Sequence, residues 1–127
     1  MSYPAEYRYT KDHEWVHIEG DRARIGITDH AQEELGDIVF VELPAIGTQF
    51  SEGDNLATVE SVKAVGEVNA PCSGKVVEVN SALESAPETI NQSPHEEGWI
   101  VVVERSDPTA GDGLLRAADY EKLIAEG

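Results

Sequence analysis

The chain centres on Val59-Glu60-Ser61-Val62-Lys63-Ala64-Val65-Gly66-Glu67-Val68, where one lysine stands between two short apolar runs. These runs predict two short strands that meet near Lys63, with Gly66 as the only turn-permissive residue between them. From residue 25 to residue 74, Lys63 is the only Lys or Arg, although this span contains nine carboxylates. A lysine on a stiff hairpin projects its amine into water, within reach of another protein. By composition alone, such a lysine is an ordinary solvated charge.

Length and charge limit the classes of protein to consider. The 127 residues are enough for one domain, here residues 1–127, with a modest core. Asp and Glu number 25 against 9 Lys and Arg, so the formal net charge is −16. Nucleic acid and anionic membranes require a basic face, so both are excluded as expected partners. The acidic residues are spread along the chain, which indicates a solvated surface that favours partners with basic docking surfaces.

The cysteine content and the N-terminal residues indicate the cellular compartment to expect. Cys72 is the only cysteine, so no internal disulfide can form, which fits a reducing compartment. No stretch approaches the roughly 18 apolar residues of a membrane helix. The first six residues lack the features of a signal peptide or an organelle transit sequence. The expected location is the bacterial cytoplasm, or the mitochondrial matrix if the chain is a processed eukaryotic form.

The N-terminal part predicts a hairpin and contains a misleading motif. Residues 14–20 and 22–28 alternate polar and apolar side chains on either side of Gly20-Asp21, which predicts paired strands. His13-Glu14-Trp15-Val16-His17 matches the HExxH pattern of zinc peptidases, which requires a helix. On a strand at about 3.3 Å per residue, the two histidines would be roughly 13 Å apart, too far to share one zinc ion. A zinc peptidase is therefore disfavoured.

The remaining segments predict an all-β domain with helical additions. Thr28 is a candidate N-cap for a short helix that ends at Gly36. Further strands are predicted over residues 37–43, 56–60, 75–80 and 98–104, a helical turn and loop over 81–97, and an amphipathic helix over 119–125. Short strands separated by Gly and Pro turns are typical of a sandwich or a barrel.

Six segments in order carry a resemblance to a known family. They are Tyr9-Thr10-Lys11-Asp12-His13-Glu14-Trp15-Val16; Gly26-Ile27-Thr28-Asp29-His30-Ala31-Gln32; Gly36-Asp37-Ile38-Val39-Phe40-Val41-Glu42-Leu43-Pro44; Glu60-Ser61-Val62-Lys63-Ala64; Ala70-Pro71-Cys72-Ser73-Gly74; and Gly98-Trp99 after Asn91. Together they resemble the lipoyl-carrying H proteins of the glycine cleavage system over nearly the whole chain. The resemblance implies the biotinyl/lipoyl carrier fold, a flattened β-barrel or sandwich of two sheets. Terminal additions are expected over residues 1–20 and 106–127.

The resemblance also implies a function and a cofactor. Lys63 would carry lipoate as an amide, attached by a lipoate ligase or a lipoyl or octanoyl transferase. The arm would accept the aminomethyl group from the P protein, a glycine decarboxylase. It would deliver this group to the T protein, an aminomethyltransferase, and be reoxidised by the L protein, a dihydrolipoamide dehydrogenase. The chain itself would be a non-catalytic carrier and a monomer.

Members of this family fold the loaded arm into a surface cleft, for which three residues are candidates. They are His13, Glu14 and Glu67, with Glu14 favoured because a carboxylate can hold an aminomethyl cation. The sequence departs from the family at Val65-Gly66-Glu67, where a small residue, Ser and Asp are common. Cys72 stands where an aliphatic residue is usual. His95-Glu96 follow Pro94 where a Tyr is usual, so a partner-facing loop is expected to differ.

Two alternatives from other classes stay open beside this interpretation. A lipoyl domain of a 2-oxoacid dehydrogenase acyltransferase usually shows Asp-Lys-Ala and continues into a linker and a catalytic domain. This chain has Val62-Lys63 and ends at Gly127. A biotin carrier would show Met beside the lysine, but Met1 is the only Met. The other alternative is a lipoyl reservoir or relay that supplies lipoyl groups to other enzymes.

Overall fold

The computed structural model describes residues 3–106 and 114–126, so residues 1–2, 107–113 and 127 of the predicted terminal additions lie outside the description. The strands in chain order are β1 (Arg8–Tyr9), β2 (Glu14–Glu19), β3 (Arg22–Ile27), β4 (Ile38–Glu42), β5 (Gln49–Phe50), β6 (Asn55–Ser61), β7 (Val65–Asn69), β8 (Gly74–Val79) and β9 (Val101–Arg105). The helices are α1 (Asp29–Leu35), α2 (Ala82–Ser85), α3 (Thr89–Gln92) and α4 (Ala117–Glu126).

These strands form two antiparallel sheets. The larger sheet has six strands in the order β1-β2-β3-β9-β8-β5, and the smaller has three in the order β4-β6-β7. The predicted all-β fold of two sheets with short helices and a C-terminal helix is confirmed. Among the described strands, no ladder joins the two sheets, so they form an open sandwich and not a closed barrel.

The core lies between the inner faces of the two sheets. In the larger sheet, Ala23 pairs with Val103, which pairs with Val76, and all three side chains are fully buried. In the smaller sheet, Val41 pairs with Val59 in the inner row. Burying one Val or Ile side chain contributes about 1.5–3 kcal/mol. Apolar side chains alternate with polar ones along the strands, and this alternation directs one face of each sheet to the core.

Local hydrogen bonds determine where helix α1 and strand β9 begin. Thr28 caps α1 as predicted, because its hydroxyl accepts a hydrogen bond from the Ala31 backbone N–H at 3.2 Å. The last strand begins at Val101, three residues later than predicted. The Gly98 backbone N–H instead donates to the Ser93 carbonyl at 2.8 Å, which holds this residue in a turn.

The C-terminal helix packs against the N-terminal strand. Tyr9 of β1 and Tyr120 of α4 are fully buried and stack with their ring centroids 4.9 Å apart. The backbone of Tyr9 exchanges two hydrogen bonds, each of 2.8 Å, with that of Leu115. Trp15 lies in the same aromatic cluster. This second cluster is separate from the main core and fixes α4 beside β1 and β2.

Candidate functional site

A hairpin between β6 and β7 presents Lys63. The Ser61 backbone N–H donates to the Ala64 carbonyl at 2.8 Å, and the Ser61 hydroxyl accepts from the Ala64 backbone N–H at 3.0 Å. The turn therefore lies at residues 61–64 and is held by a serine, whose hydroxyl mimics a backbone turn. The strands meet near Lys63 as predicted, but Gly66, the turn-permissive residue between them, does not form the turn. Gly66 lies within β7 opposite Val59, and a Cβ there would be 3.2 Å from Leu35, so this glycine serves close packing.

The side chain of Lys63 is exposed and lies over the end of α1. A Cβ on Gly36 would be 3.3 Å from Lys63 Cε, so the lysine stem passes close to this glycine. Gly36 follows α1 with φ of 83°. The carbonyl dipoles at a helix C-terminus favour a cation there. Within residues 3–106 and 114–126, no carboxylate forms an ion pair with the Lys63 ammonium.

The position of the hairpin tip is set by a corner between α1 and β4. The Val62 backbone N–H donates to the Asp37 carbonyl at 3.1 Å, which ties the turn to this corner. The Asn91 amide donates to the Gly36 carbonyl at 2.9 Å, and its oxygen accepts from the Ile38 backbone N–H at 2.9 Å. Asn91 also donates to the Gln32 side chain at 2.8 Å. Local sequence patterns do not reveal this role, because Asn91 is 55 positions from Gly36 in the chain.

We expect Asn91→Ala to lower the free energy of unfolding by about 2–6 kcal/mol. The substitution leaves a donor and an acceptor at the α1–β4 corner without their partners, at about 1–3 kcal/mol for each such group. Urea denaturation measures the change. Asn55→Ala is the matched control, since Asn55 is exposed in β6 and should change stability by less than about 0.5 kcal/mol. Equal stability of the two variants would contradict this assignment.

Glu14 is a buried carboxylate. It is 1 % exposed, and its two oxygens accept hydrogen bonds from the Thr10 hydroxyl at 2.8 Å and from the Asn69 backbone N–H at 3.0 Å. Burial raises the pKa of Glu14, and this effect exceeds the opposing effect of the two hydrogen bonds. Glu14 lines a pocket of about 390 Å³. The lining also includes Tyr9, Thr10, Lys11, Asp12, Glu52, Gly53, Asn69, Ala70, Pro71, Leu114 and Leu115.

The other two candidates lie apart from this pocket. His13 has φ of 69°, and its Nδ1 is 2.8 Å from the Tyr120 hydroxyl. Burial, with a smaller contribution from His30, lowers the pKa of His13. Glu67 is exposed on β7, two residues before Asn69. Of the described residues, the pocket lining includes Glu14 but neither His13 nor Glu67.

The pocket and the hairpin tip lie at opposite ends of β7. Val65 begins this strand directly after the turn, and Asn69, which contacts Glu14, ends it. At about 3.3 Å per residue, the two are roughly 13 Å apart along the strand. Glu67 lies midway between them. Strand β7 therefore connects the hairpin tip to the pocket, with Glu67 exposed between them.

Two of the departures from the family pattern, His95 and Cys72, are buried. His95 is 5 % exposed, and its Nε2 accepts a hydrogen bond from the Asp29 backbone N–H at 3.1 Å. Its carbonyl accepts from the Tyr7 hydroxyl at 2.7 Å. His95 is therefore a packing residue, whereas Glu96 beside it is exposed, and the expected difference in a partner-facing loop stays a prediction. Cys72 is buried, and burial raises the pKa of its thiol, which disfavours a nucleophilic role.

His95 predicts a pH dependence of stability. Burial lowers its pKa in the folded state below the unfolded value of about 6.5, and only the neutral ring can accept the hydrogen bond from Asp29. Its contribution is therefore complete above pH about 6.5 and is lost as the pH falls below that value. His95→Gln should show a shallower loss of stability from pH 7 to 5 than the wild type, measured by urea denaturation. Parallel pH profiles would contradict this prediction.

The HExxH match is confirmed to lie outside any helix. His13 directly precedes β2, and His17 lies within this strand, where its ring stacks on Tyr7 at 4.7 Å. In the described part of the chain, no group of three or more His, Cys, Asp or Glu side chains could hold a metal ion. The described helices are all too short or too polar to cross a membrane.

The two-sheet scaffold and the exposed lysine at a hairpin tip are the features expected of a carrier protein. Comparison with known proteins agrees with this class. The sequence profile of the family described as Glycine cleavage H-protein matches residues 7–127. The chain belongs to this family of lipoyl carriers, which serve the glycine cleavage system.

Individual relatives show how closely the chain matches. It is 54 % identical over 127 residues to the glycine cleavage system H protein of Geobacillus sp. strain WCH70, covering 100 % of both chains. It is 55 % identical over 126 residues to that of Bacillus licheniformis, covering 99 % of each. A crystal structure of a glycine cleavage system H protein from Mycobacterium marinum matches with a TM-score of 0.89 at 41 % identity, over 97 % of this chain and 99 % of that one.

Proposed function

We propose that Lys63 is the residue of this lipoyl carrier to which lipoate is attached, through an amide on Nζ. The observation that carries the proposal is the geometry of the hairpin. Lys63 is exposed at the tip of a turn that is hydrogen-bonded to the α1–β4 corner. It is also the only Lys or Arg from residue 25 to residue 74. The amine of Lys63 is therefore accessible to a modifying enzyme.

Attachment requires an external acylating enzyme, which we assign to the class of lipoate ligases or lipoyl and octanoyl transferases. The ammonium of Lys63 first loses a proton, and its Nζ then attacks the carbonyl carbon of an activated acyl donor. A C–N bond forms and the bond to the leaving group breaks. The product amide is uncharged. The chain supplies the nucleophilic atom and its position, and the enzyme supplies the activated acyl group.

When bound, lipoate supplies a dithiolane that opens to a dithiol and so carries both the aminomethyl group and the redox change. Glu14 is the protein group that we assign to the cargo. Its carboxylate lies in the pocket at the far end of β7, where the ionised form can pair with a small ammonium group away from bulk water. Thr10 and Asn69 orient this carboxylate. His13 and Glu67 stand outside the pocket lining, so we assign them weaker roles in arm docking.

The partners follow from the shuttle role. We propose that the P protein loads the arm, the T protein unloads it and the L protein reoxidises it. The chain itself is a carrier, so Glu14 acts as a binding residue and no catalytic residue is assigned. The formal charge of −16 favours partners that offer basic docking surfaces.

Peptide mass spectrometry tests the attachment site. The protein is produced in a lipoate-replete host and digested, and the mass increment of a lipoyl amide is mapped. The expected result is an increment confined to the peptide that contains Lys63, and none in Lys63→Arg. An increment on any other lysine, or no increment in the presence of an active ligase, would overturn the proposal. Turnover with purified P protein then separates a glycine cleavage carrier from a lipoyl reservoir.

A further inference from the structure

Large apolar side chains are exposed around the hairpin. Among the described residues, five large hydrophobic side chains are strongly exposed, and four of them lie on or next to the hairpin. These four are Val39 (53 % exposed), Phe40 (49 %), Val62 (70 %) and Val65 (62 %). We call them the hairpin patch. The fifth, Ile46 (65 %), lies outside the three strands of the smaller sheet.

A β-bulge creates half of this patch. Ile38 pairs with Ser61 and Phe40 pairs with Glu60, so Val39 is an extra residue in β4. In a regular strand, neighbouring side chains point to opposite faces. The bulge breaks this alternation, and both Val39 and Phe40 are exposed. Bulges recur next to functional sites, where they redirect side chains.

The remainder of this outer face is acidic. Phe40, Glu60 and Val65 are in register across β4, β6 and β7, so their side chains share one face. In the next row, Glu42 and Glu67 lie on either side of Thr58. The three strands contain these three glutamates and no Lys or Arg. The face thus combines an apolar centre with carboxylates and lacks a cation of its own.

We propose that the hairpin patch is the docking surface for the enzyme that acylates Lys63. This inference rests on the proposed attachment of lipoate at Lys63. The partner surface that fits is an apolar hollow surrounded by Lys and Arg side chains, which would meet Glu42, Glu60 and Glu67. The patch supplies the affinity, and the carboxylates supply the orientation and the association rate.

The short side chain of Lys63 favours the acylating enzyme, over enzymes that act on the modified protein, as the partner that covers the hairpin patch. An unmodified lysine has only a four-carbon stem, so an active site that takes its Nζ must cover the hairpin tip. Such an enzyme necessarily buries Val62 and Val65, which flank Lys63 by one and two residues. Enzymes that act on the modified protein meet the end of a longer arm, and they can do so without covering the patch.

Steady-state acylation kinetics test the inference. Unmodified protein is the varied substrate for a purified lipoate ligase with lipoate, ATP and Mg²⁺. For Phe40→Ser/Val65→Thr we expect KM to rise about tenfold, the effect of losing an apolar anchor from an interface, with kcat within about twofold of the wild type. Ile46→Ser is the matched control and should leave both constants unchanged. Thermal unfolding is followed in parallel, because the replaced side chains are 49 % and 62 % exposed and should tolerate substitution.

The possible outcomes separate this inference from the proposed function. If the wild type is not acylated, the proposed attachment at Lys63 fails. If the wild type is acylated but the ligase KM of the double variant changes by less than twofold, the proposed docking surface is overturned. The same holds if Ile46→Ser raises the ligase KM by as much as the double variant does. It is also overturned if KM for P protein, measured with fully modified double variant, rises while the ligase KM does not. A rise in the ligase KM with ionic strength supports a basic partner surface.

Discussion

Lys63→Ala is expected to abolish glycine cleavage and to change the free energy of unfolding by less than about 0.5 kcal/mol. Activity is lost because the variant has no amine to acylate at the hairpin tip. The fold is retained because the lysine is exposed and the turn is held by Ser61. Reconstituted glycine cleavage with P, T and L proteins measures the activity, and urea denaturation measures the stability.

Lys63→Arg is the matched control for charge. Its guanidinium keeps the positive charge at the end of α1 but stays protonated at all relevant pH values, so it is not acylated. The variant should be as inactive as Lys63→Ala. Residual glycine cleavage in either variant would show that another residue carries the arm. Unfolding of Lys63→Ala would show that the hairpin depends on its lysine and not on Ser61.

Glu14→Gln is expected to shorten the lifetime of the aminomethyl group on the loaded carrier by about tenfold or more. A hydrogen bond to a charged group is worth about 1.5–3 kcal/mol, and Glu14 is the buried carboxylate of the pocket. The substituted amide keeps the shape but lacks the charge. Release of formaldehyde from loaded carrier, followed over time in the absence of T protein, measures this lifetime.

Glu67→Gln is the control for Glu14→Gln. Glu67 is exposed on the same strand and outside the pocket lining, so its substitution should change the lifetime by less than about threefold. An equal effect of the two substitutions would contradict the assignment of the pocket. In the wild type, protection should weaken as the pH falls through the raised pKa of Glu14, which removes the charge earlier than for an ordinary Glu. This pH dependence should be absent from Glu14→Gln.

Sequence patterns predicted the elements that have a strong local cause. The alternation on either side of Gly20 predicted that β2 pairs with β3, and the hydroxyl of Thr28 marked the start of α1. The exposed lysine between two strands also followed from the pattern. In each case the physical cause, a buried face or a helix cap, acts over a few residues. Such causes are visible in a single sequence.

Local sequence patterns do not predict long-range contacts or irregular strand pairing. Glycine is typical of turns, but the role of Gly66 depends on its close packing against Leu35 of α1. The apolar run of β4 indicated a strand, but not the bulge that exposes Val39 and Phe40. The hydrogen bonds of Asn91 span more than fifty residues. Each of these features is set by tertiary packing.

The isolation of Lys63 among carboxylates also has a preparative consequence. Conversion of its ammonium to an amide removes one positive charge, so the formal net charge passes from −16 to −17. Because Lys63 is exposed and forms no ion pair with a described carboxylate, acylation makes the protein surface more negative by one full charge. The acylated protein should therefore elute later than the free form from an anion-exchange column. A shallow salt gradient would then resolve the two forms and report the modified fraction of a preparation without proteolysis.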